Sequence, residues 1–113
     1  MVDDSPVPRP ARKRSYTLHF ATRQAEKGWR DLQANRMNAL VETLDYLTDN
    51  PLLPSPLTSR LKADLATIER DGVKHARWQR KLNARDGSRI WYYVDGNRVM
   101  IEQVFTAHPN ATK

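Results

Sequence analysis

The dipeptide Asp-Gly occurs three times in the second half of the chain, and it constrains the fold more than any other feature. The three pairs are Asp71-Gly72, Asp86-Gly87 and Asp95-Gly96. Each pair lies between runs that can form strands, and Asp-Gly readily adopts the positive φ angles of tight hairpin turns. Three such turns predict a meander of strands, which we place at residues 65–70, 74–82, 88–94 and 98–107.

The four predicted strands differ in how firmly their residues define them. The last three are rich in β-branched and aromatic residues, which favour strands. In the first run, Leu61, Leu65 and Ile68 also fit one face of a short helix. Periodicity alone therefore leaves residues 65–70 open between a strand and a helix.

The first half of the chain begins with one short strand and an amphipathic helix. Residues 16–20 alternate apolar and polar side chains, which predicts a strand. Thr22 is a suitable N-cap for a helix, because its hydroxyl can accept a hydrogen bond from an amide of the first turn. Ala25, Trp29 and Leu32 then follow at helical spacing.

A second helix is predicted to begin after Asn35, which can cap it, and to end at Asn50-Pro51. Proline disfavours helical geometry in the residue before it, so the helix cannot continue past that point. Its apolar side chains fall on one face and are Met37, Leu40, Val41, Leu44 and Leu47. The short gap between the two helices predicts an antiparallel helical hairpin. Because the helices precede a run of strands, the chain is of the α+β class, with one sheet face against the hairpin and the other face free.

The N-terminal segment 1–14 differs from the rest of the chain. It contains Pro6, Pro8 and Pro10 and then the basic run Arg12-Lys13-Arg14. Because proline removes amide donors and resists both helix and sheet, we expect a disordered tail before a single domain at residues 15–113. The tail fits either an electrostatic arm that touches nucleic acid or a segment that only aids solubility.

Composition narrows the classes of partner and compartment. Lysine and arginine number 19 against 13 acidic residues, a net charge of +6 that favours an anionic partner such as RNA, DNA, an acidic protein or a membrane surface. The absence of cysteine excludes disulfides and cysteine-based zinc sites and fits a reducing cytoplasm. No run approaches the roughly 20 apolar residues of a membrane span, and the first five residues lack the pattern of a signal peptide. We therefore expect a cytoplasmic protein that does not cross a membrane, and we expect its anionic partner to be RNA or a protein rather than a membrane.

Basic and aromatic side chains are interleaved on two of the predicted strands. If Trp78 faces the helices, strand alternation places Arg77, Gln79 and Lys81 on the free sheet face. On the next strand Arg89, Trp91 and Tyr93 share one face. Cations neutralise phosphates and rings stack on unpaired bases, so these residues predict an RNA-binding surface. The alternative is a solvated sheet face whose cations only prevent edge-to-edge aggregation.

Three histidines offer candidates for proton transfer. His108 ends the last predicted strand before Pro109 and fits either a general acid or base or a residue without a role. His19 is expected at the surface, and His75 fits a structural role better than a functional one. The sequence has no glycine-rich phosphate loop and no tight carboxylate cluster for magnesium, so we expect no cofactor and no metal. RNA cleavage does not require a metal, because the 2′-hydroxyl of RNA can itself attack the phosphate.

Three local motifs resemble a known family of proteins. Residues 61–65 (Leu-Lys-Ala-Asp-Leu) resemble a Leu-Lys-Gly-x-Leu element, and residues 78–82 resemble an aromatic-basic strand. Residues 88–95 are similar to a Tyr-Arg-Leu/Ile-x-Tyr-x-Val/Ile strand, the most specific of the three. Together with the element order, they make residues 15–113 resemble the RelE/ParE toxin superfamily of bacterial toxin–antitoxin pairs. The resemblance implies a microbial-RNase-like antiparallel sheet of four or five strands packed against the N-terminal helical hairpin.

The resemblance also implies roles for individual residues. Arg89 would stabilise the scissile phosphate, Lys81 would be a basic residue of the active face, and His108 would be the general acid or base. The residues expected to contact RNA are Arg77, Gln79, Trp91, Tyr93 and Lys113. The chain departs from the family pattern where Gln79 replaces a lysine of one branch, where proline follows His108, and in the N-terminal extension.

The function implied is that of a type II toxin, a metal-independent and ribosome-dependent mRNA endoribonuclease that inhibits translation. Its partners would be a cognate antitoxin, mRNA and the ribosome. Two alternatives stay open: a non-enzymatic inhibitor of a topoisomerase (gyrase) of the ParE type, and an RNA-binding module without catalysis.

Overall fold

The computed structural model describes residues 16–85 and 87–106 as nine regular helices and strands. In chain order they are β1 (Thr17–Phe20), α1 (Arg23–Asn35), α2 (Met37–Asp49), β2 (Thr58–Arg60), β3 (Thr67–Arg70), β4 (Val73–Ala76), β5 (Trp78–Lys81), β6 (Arg89–Asp95) and β7 (Arg98–Phe105). A 3-10 turn at Ala63–Leu65 precedes β3. The predicted tail at residues 1–14 lies outside the described residues.

Five strands form the main sheet in the order β1-β7-β6-β5-β2, and the predicted α+β class is confirmed. All neighbours in this sheet are antiparallel except β1, which runs parallel to β7. The sheet is therefore mixed rather than wholly antiparallel. A tight turn forces two strands to run antiparallel, whereas β1 and β7 are separated by most of the domain and are free of that constraint.

The strand predicted at residues 74–82 is divided in the structure at Arg77. Before that point β4 pairs with β3 as a separate two-stranded hairpin, and after it β5 enters the main sheet. Arg77 links the two, because its amide donates to the carbonyl of Ala66 and its own carbonyl accepts from the amide of Leu61. The run left open between strand and helix contains both forms, a 3-10 turn and then β3. Asp71 and Gly72 have φ angles of 52° and 79°, so the predicted positive-φ turn is present.

The core lies between the two helices and one face of the main sheet. Its largest fully buried side chains include Leu32, Leu47, Ile90 and Tyr92. Gly28 allows α1 to approach β7 closely, because a Cβ at this position would lie 2.7 Å from the Cβ of Val104. This close contact explains a glycine that intrinsic propensity disfavours within a helix by about 1 kcal/mol.

The apolar face predicted for α2 is only partly buried. Leu40 and Leu47 lie in the core, whereas Met37, Val41 and Leu44 are 49%, 46% and 39% exposed. The helix α2 buries Leu40, Thr43 and Leu47. The three exposed apolar residues therefore lie beside this buried stripe. We call Met37, Val41 and Leu44 the α2 flank.

The predicted cap of α2 is wrong. Asn35 is the last residue of α1, and its side-chain amide donates to the carbonyl of Asp31. Arg36 alone separates the helices and makes no side-chain capping bond. The predicted cap of α1 is confirmed, since the Thr22 hydroxyl accepts from the amide of Ala25 at 3.0 Å. Within the described ranges, no helix is both long enough and apolar enough to cross a membrane.

Candidate functional site

The sheet surface turned away from the helices carries the predicted basic and aromatic residues. In the β5–β6 register Gln79 lies opposite Trp91, and Lys81 lies opposite Arg89. The alternate residues Ile90 and Tyr92 are buried in the core beneath the helices. Side chains alternate across a strand, so residues 79, 81, 89, 91 and 93 share the opposite surface, which we call the open face.

Lys81 and Arg89 form a directly opposed pair of cations on the open face. Opposed residues of antiparallel strands have Cβ atoms about 4.5–5.5 Å apart, and like charges at that separation destabilise a sheet. Both side chains are half-buried, which reduces the screening of their repulsion by water. A phosphate between them would relieve this repulsion, so the pair is suited to binding an anion.

Gln79 orients two neighbouring side chains. Its Oε1 accepts a hydrogen bond from Arg89 Nη1 at 3.1 Å and another from Trp91 Nε1 at 3.0 Å. The Nε of Arg89 donates to the carbonyl of Gly87 at 3.0 Å. Bonds from two different nitrogens fix the plane of the guanidinium before any ligand arrives. Gln79 is itself only 8% exposed, so it supports the face from below.

Arg77 is committed to an ion pair with Glu102. Its Nη2 and Nε donate to the two carboxylate oxygens at 2.7 and 3.0 Å, and both side chains are largely buried. The guanidinium also lies 5.8 Å from the centre of the Trp91 ring. The charge of Arg77 is therefore compensated within the protein by Glu102.

Glu102 is the residue of this site that sequence reasoning missed. The β6–β7 pairing shifts between Trp91 and Tyr92, which face Gln103 and Ile101 respectively. Glu102 is thus the extra residue of a β-bulge, and a bulge can redirect a side chain to the other sheet face. The sequence does carry one indication of the bulge, because the adjacent polar pair Glu102-Gln103 interrupts the alternation of an otherwise regular strand.

Two aromatic contacts shape the open face. The Trp91 ring meets Phe105 edge to face, with centroids 4.8 Å apart. The His75 ring of β4 lies against Tyr93, with centroids 4.7 Å apart and planes inclined by 31°. Tyr93 is only 5% exposed, so it forms the floor of the face beneath His75.

Two buried polar side chains lie on the core side of the same strands. Arg80 donates to the hydroxyl of Thr58 at 3.0 Å and lies 4.3 Å from the centre of the Tyr46 ring. Burial lowers the pKa of Arg80, although the nearby Tyr46 acts in the opposite direction. Burial raises the pKa of Tyr92, whose hydroxyl donates to the carbonyl of Pro51 at 2.6 Å. These groups belong to the interior and not to the open face.

His108 and Lys113 lie outside the described residues, so their predicted places beside Lys81 and Arg89 stay predictions. Among residues 16–85 and 87–106, no three histidine, aspartate or glutamate side chains form a group that could hold a metal ion.

The fold that carries this face is the α+β fold of the RelE/ParE-like toxins. The structure of the YoeB dimer from Staphylococcus aureus matches with a TM-score of 0.58 and 20% identity, over 80% of this chain and 94% of that one. The YoeB/ParE toxin from Agrobacterium tumefaciens matches with a TM-score of 0.55 and 17% identity, over 78% of this chain and 94% of that one. No protein-family model matches the chain, and a search of curated proteins gives no significant match. At these identities the likeness establishes the fold.

Proposed function

We propose that this protein is the toxin of a type II toxin–antitoxin pair and acts as a metal-independent, ribosome-dependent mRNA endoribonuclease. The observation that carries the proposal is the Lys81–Arg89 pair on the open face, with Arg89 held in place by Gln79. The fold supports the same interpretation, because a protein named as a YoeB/ParE toxin shares this architecture.

The proposed reaction is an internal transesterification within RNA. The 2′-hydroxyl attacks the adjacent phosphorus, a new P–O bond forms, and the bond to the 5′-oxygen of the next nucleotide breaks. Lys81 and Arg89 stabilise the additional negative charge on the phosphorane, an effect that is strongest when the donors are already oriented. One proton leaves the 2′-hydroxyl and one reaches the departing 5′-oxygen. The products are a 2′,3′-cyclic phosphate and a 5′-hydroxyl.

The other site residues have supporting roles in this proposal. His108 is assigned proton transfer on the strength of the family resemblance. Trp91 stacks on a base beside the scissile phosphate. Gln79 and Arg77 are positioning residues, because the first orients Arg89 and the second lies against the ring of Trp91. Lys113 adds a further phosphate contact.

The proposed partners follow from the charge of the open face. Phosphates of mRNA are one ligand, and the ribosome presents the message in the cytoplasm. The antitoxin is a second ligand of the same face, and an acidic segment that folds on binding would neutralise the Lys81–Arg89 pair. Binding of the antitoxin and binding of RNA are then mutually exclusive.

Replacing Arg89 tests the proposal. We expect Arg89→Ala to lower the rate of mRNA cleavage on programmed ribosomes about 100-fold or more, because an oriented donor to the phosphorane is lost. The matched control is Arg30→Ala, which removes an equal charge from the exposed surface of α1, where Arg30 pairs with Glu26. Circular dichroism verifies that both variants fold.

Three outcomes contradict the proposal. The first is intact mRNA after incubation with the wild-type protein, and the second is equal activity of the wild type and Arg89→Ala. The third is DNA breakage without RNA cleavage in cells that express the protein, which would assign it to the gyrase-directed alternative.

A further inference from the structure

A pocket of about 290 Å³ lies where the β3–β4 hairpin meets the main sheet. Its base is the stacked ring pair of His75 and Tyr93. Four charged side chains complete its polar lining: Arg70, Asp71, Asp95 and Arg98. We call this cavity the hairpin pocket.

The hairpin pocket lies along the same strand, β6, as Arg89 of the candidate catalytic pair. Arg89, Trp91 and Tyr93 are alternate residues of β6 and share the open face. A strand rises about 3.4 Å per residue, which places Tyr93 about 14 Å from Arg89 and beyond Trp91. An RNA strand that runs along β6, with its scissile phosphate at Arg89, therefore passes Trp91 and reaches the pocket with a flanking nucleotide.

The chemistry of the lining fits one nucleotide. The imidazole of His75 offers a ring surface on which a base can stack. Arg70 makes no ion pair within the described ranges, so its charge is available to a phosphate, whereas Arg98 pairs with Asp95 at 3.1 Å. Ionised carboxylates only accept hydrogen bonds, so Asp71 and Asp95 select base edges that carry donors. An exocyclic amino group presents such a donor at the edge of the base. Uracil has no amino group, and its single base donor, N3–H, lies between two carbonyl oxygens that repel a carboxylate.

We propose that the hairpin pocket is a nucleotide subsite that reads one RNA base flanking the scissile phosphate and prefers a base with an exocyclic amino group over uracil. This inference rests on the proposed ribonuclease function for its setting. It adds a determinant of sequence preference on the β3–β4 hairpin, separate from the Lys81–Arg89 pair.

A base-substitution scan on programmed ribosomes tests the subsite. Each flanking nucleotide of a cleaved message is replaced in turn by uridine, and cleavage rates are compared. We expect a loss of about tenfold at a single flanking position for the wild-type protein, the size of discrimination that one well-placed hydrogen-bonded contact provides. In Asp71→Asn and in His75→Ala the same uridine should cause less than a twofold loss, while Arg89 still supports cleavage of the uridine-containing message.

A conservative substitution in the pocket and a matched control variant make the result specific. Asp71 has a positive φ angle, which asparagine tolerates, so Asp71→Asn keeps the turn. Asp45→Asn removes an equal charge from the exposed side of α2 and should retain the full uridine effect. In parallel, fluorescence anisotropy measures the affinity of each variant for short labelled RNAs that do or do not carry uridine at the critical position.

The outcomes separate the subsite from the proposed function. Cleavage by the wild type with no flanking-base preference, or a preference that survives in both pocket variants, overturns the subsite and leaves the ribonuclease intact. A third outcome is that the wild type does not cleave the message, whereas its affinity for RNA falls when uridine is introduced and both pocket variants lose this fall. That outcome overturns the ribonuclease and supports the subsite. If neither measurement shows a preference, the subsite is overturned.

Discussion

Gln79 accepts two hydrogen bonds with one amide oxygen, and this determines how Arg89 is presented to a ligand. A lysine at this position, as in one branch of the family that the sequence resembles, would add a third cation beside Lys81 and Arg89. Glutamine instead supplies a neutral acceptor that lowers the local repulsion and fixes the guanidinium. The departure from the family pattern thus has a physical role that only the side-chain geometry reveals.

The sequence predicts the contacts of some site residues but not of others. The pairing of Lys81 with Arg89 follows from strand alternation and a hairpin turn, both of which are local properties. The role of Glu102 depends on a bulge, and the covering of Tyr93 by His75 depends on where a separate hairpin packs. Such contacts join segments distant in sequence, and local patterns carry no information about them.

Tyr92 makes stability depend on alkaline pH. Burial raises its pKa above the ordinary value of about 10, so the folded protein keeps the phenol neutral while the unfolded chain ionises. The stabilisation is complete below about pH 10 and is lost as the pH rises beyond it. We expect the free energy of unfolding, measured with urea at pH 8 and pH 10.5, to fall more for the wild type than for Tyr92→Phe. An equal fall in both proteins would contradict the assignment.

At the level of elements, α2 shows a difference between amphipathic pattern and actual burial. Periodicity correctly identifies a helix that ends before Pro51, but it assigns five apolar residues to the core where two are buried. Spacing defines a face about 100° wide, and only packing decides which edge of it meets the sheet. The α2 flank is the remaining edge.

Two leucines of α2 allow this difference to be measured with the same substitution. Leu47 is fully buried and Leu44 is 39% exposed. We expect Leu47→Ala to lower the free energy of unfolding by about 2–5 kcal/mol, because it removes buried contacts and leaves a cavity. Leu44→Ala should cost less than about 1 kcal/mol. Urea denaturation followed by circular dichroism provides both values, and similar losses at the two positions would show that the α2 flank is buried in solution.

The β3–β4 hairpin is the element that sequence reasoning described least well. The turn at Asp71-Gly72 was predicted, but a continuous strand was expected to run from residue 74 to residue 82. The change of sheet at Arg77 arises because its amide and carbonyl bond to two different segments of the chain. The consequence is a wall beside the open face, and the hairpin pocket exists only because of that wall.

For the whole molecule, the net charge and the fold both indicate the open face as the binding surface. The net charge of +6 predicts an anionic partner, and the sheet order places β5 and β6 inside the sheet, with β7 and β2 on either side. Sites built on strands are more precise than sites on loops, which suits a site that must orient a phosphate. The fold class and the open face were therefore predictable from composition, turn residues and alternation. The mixed strand direction at β1 was not, because no short connection specifies it.

A single 2′-deoxy substitution tests the central claim most directly. The proposed reaction uses the 2′-hydroxyl of the nucleotide at the scissile phosphate as its nucleophile, so no other position of the message should matter in the same way. The measurement compares the rate at which the wild-type protein cleaves a message on programmed ribosomes with and without 2′-deoxyribose at the mapped cleavage site. We predict that the all-ribose message is cleaved to a cyclic phosphate and a 5′-hydroxyl and that the deoxy-substituted message stays intact at that site. Cleavage of both messages at the same rate would contradict the account.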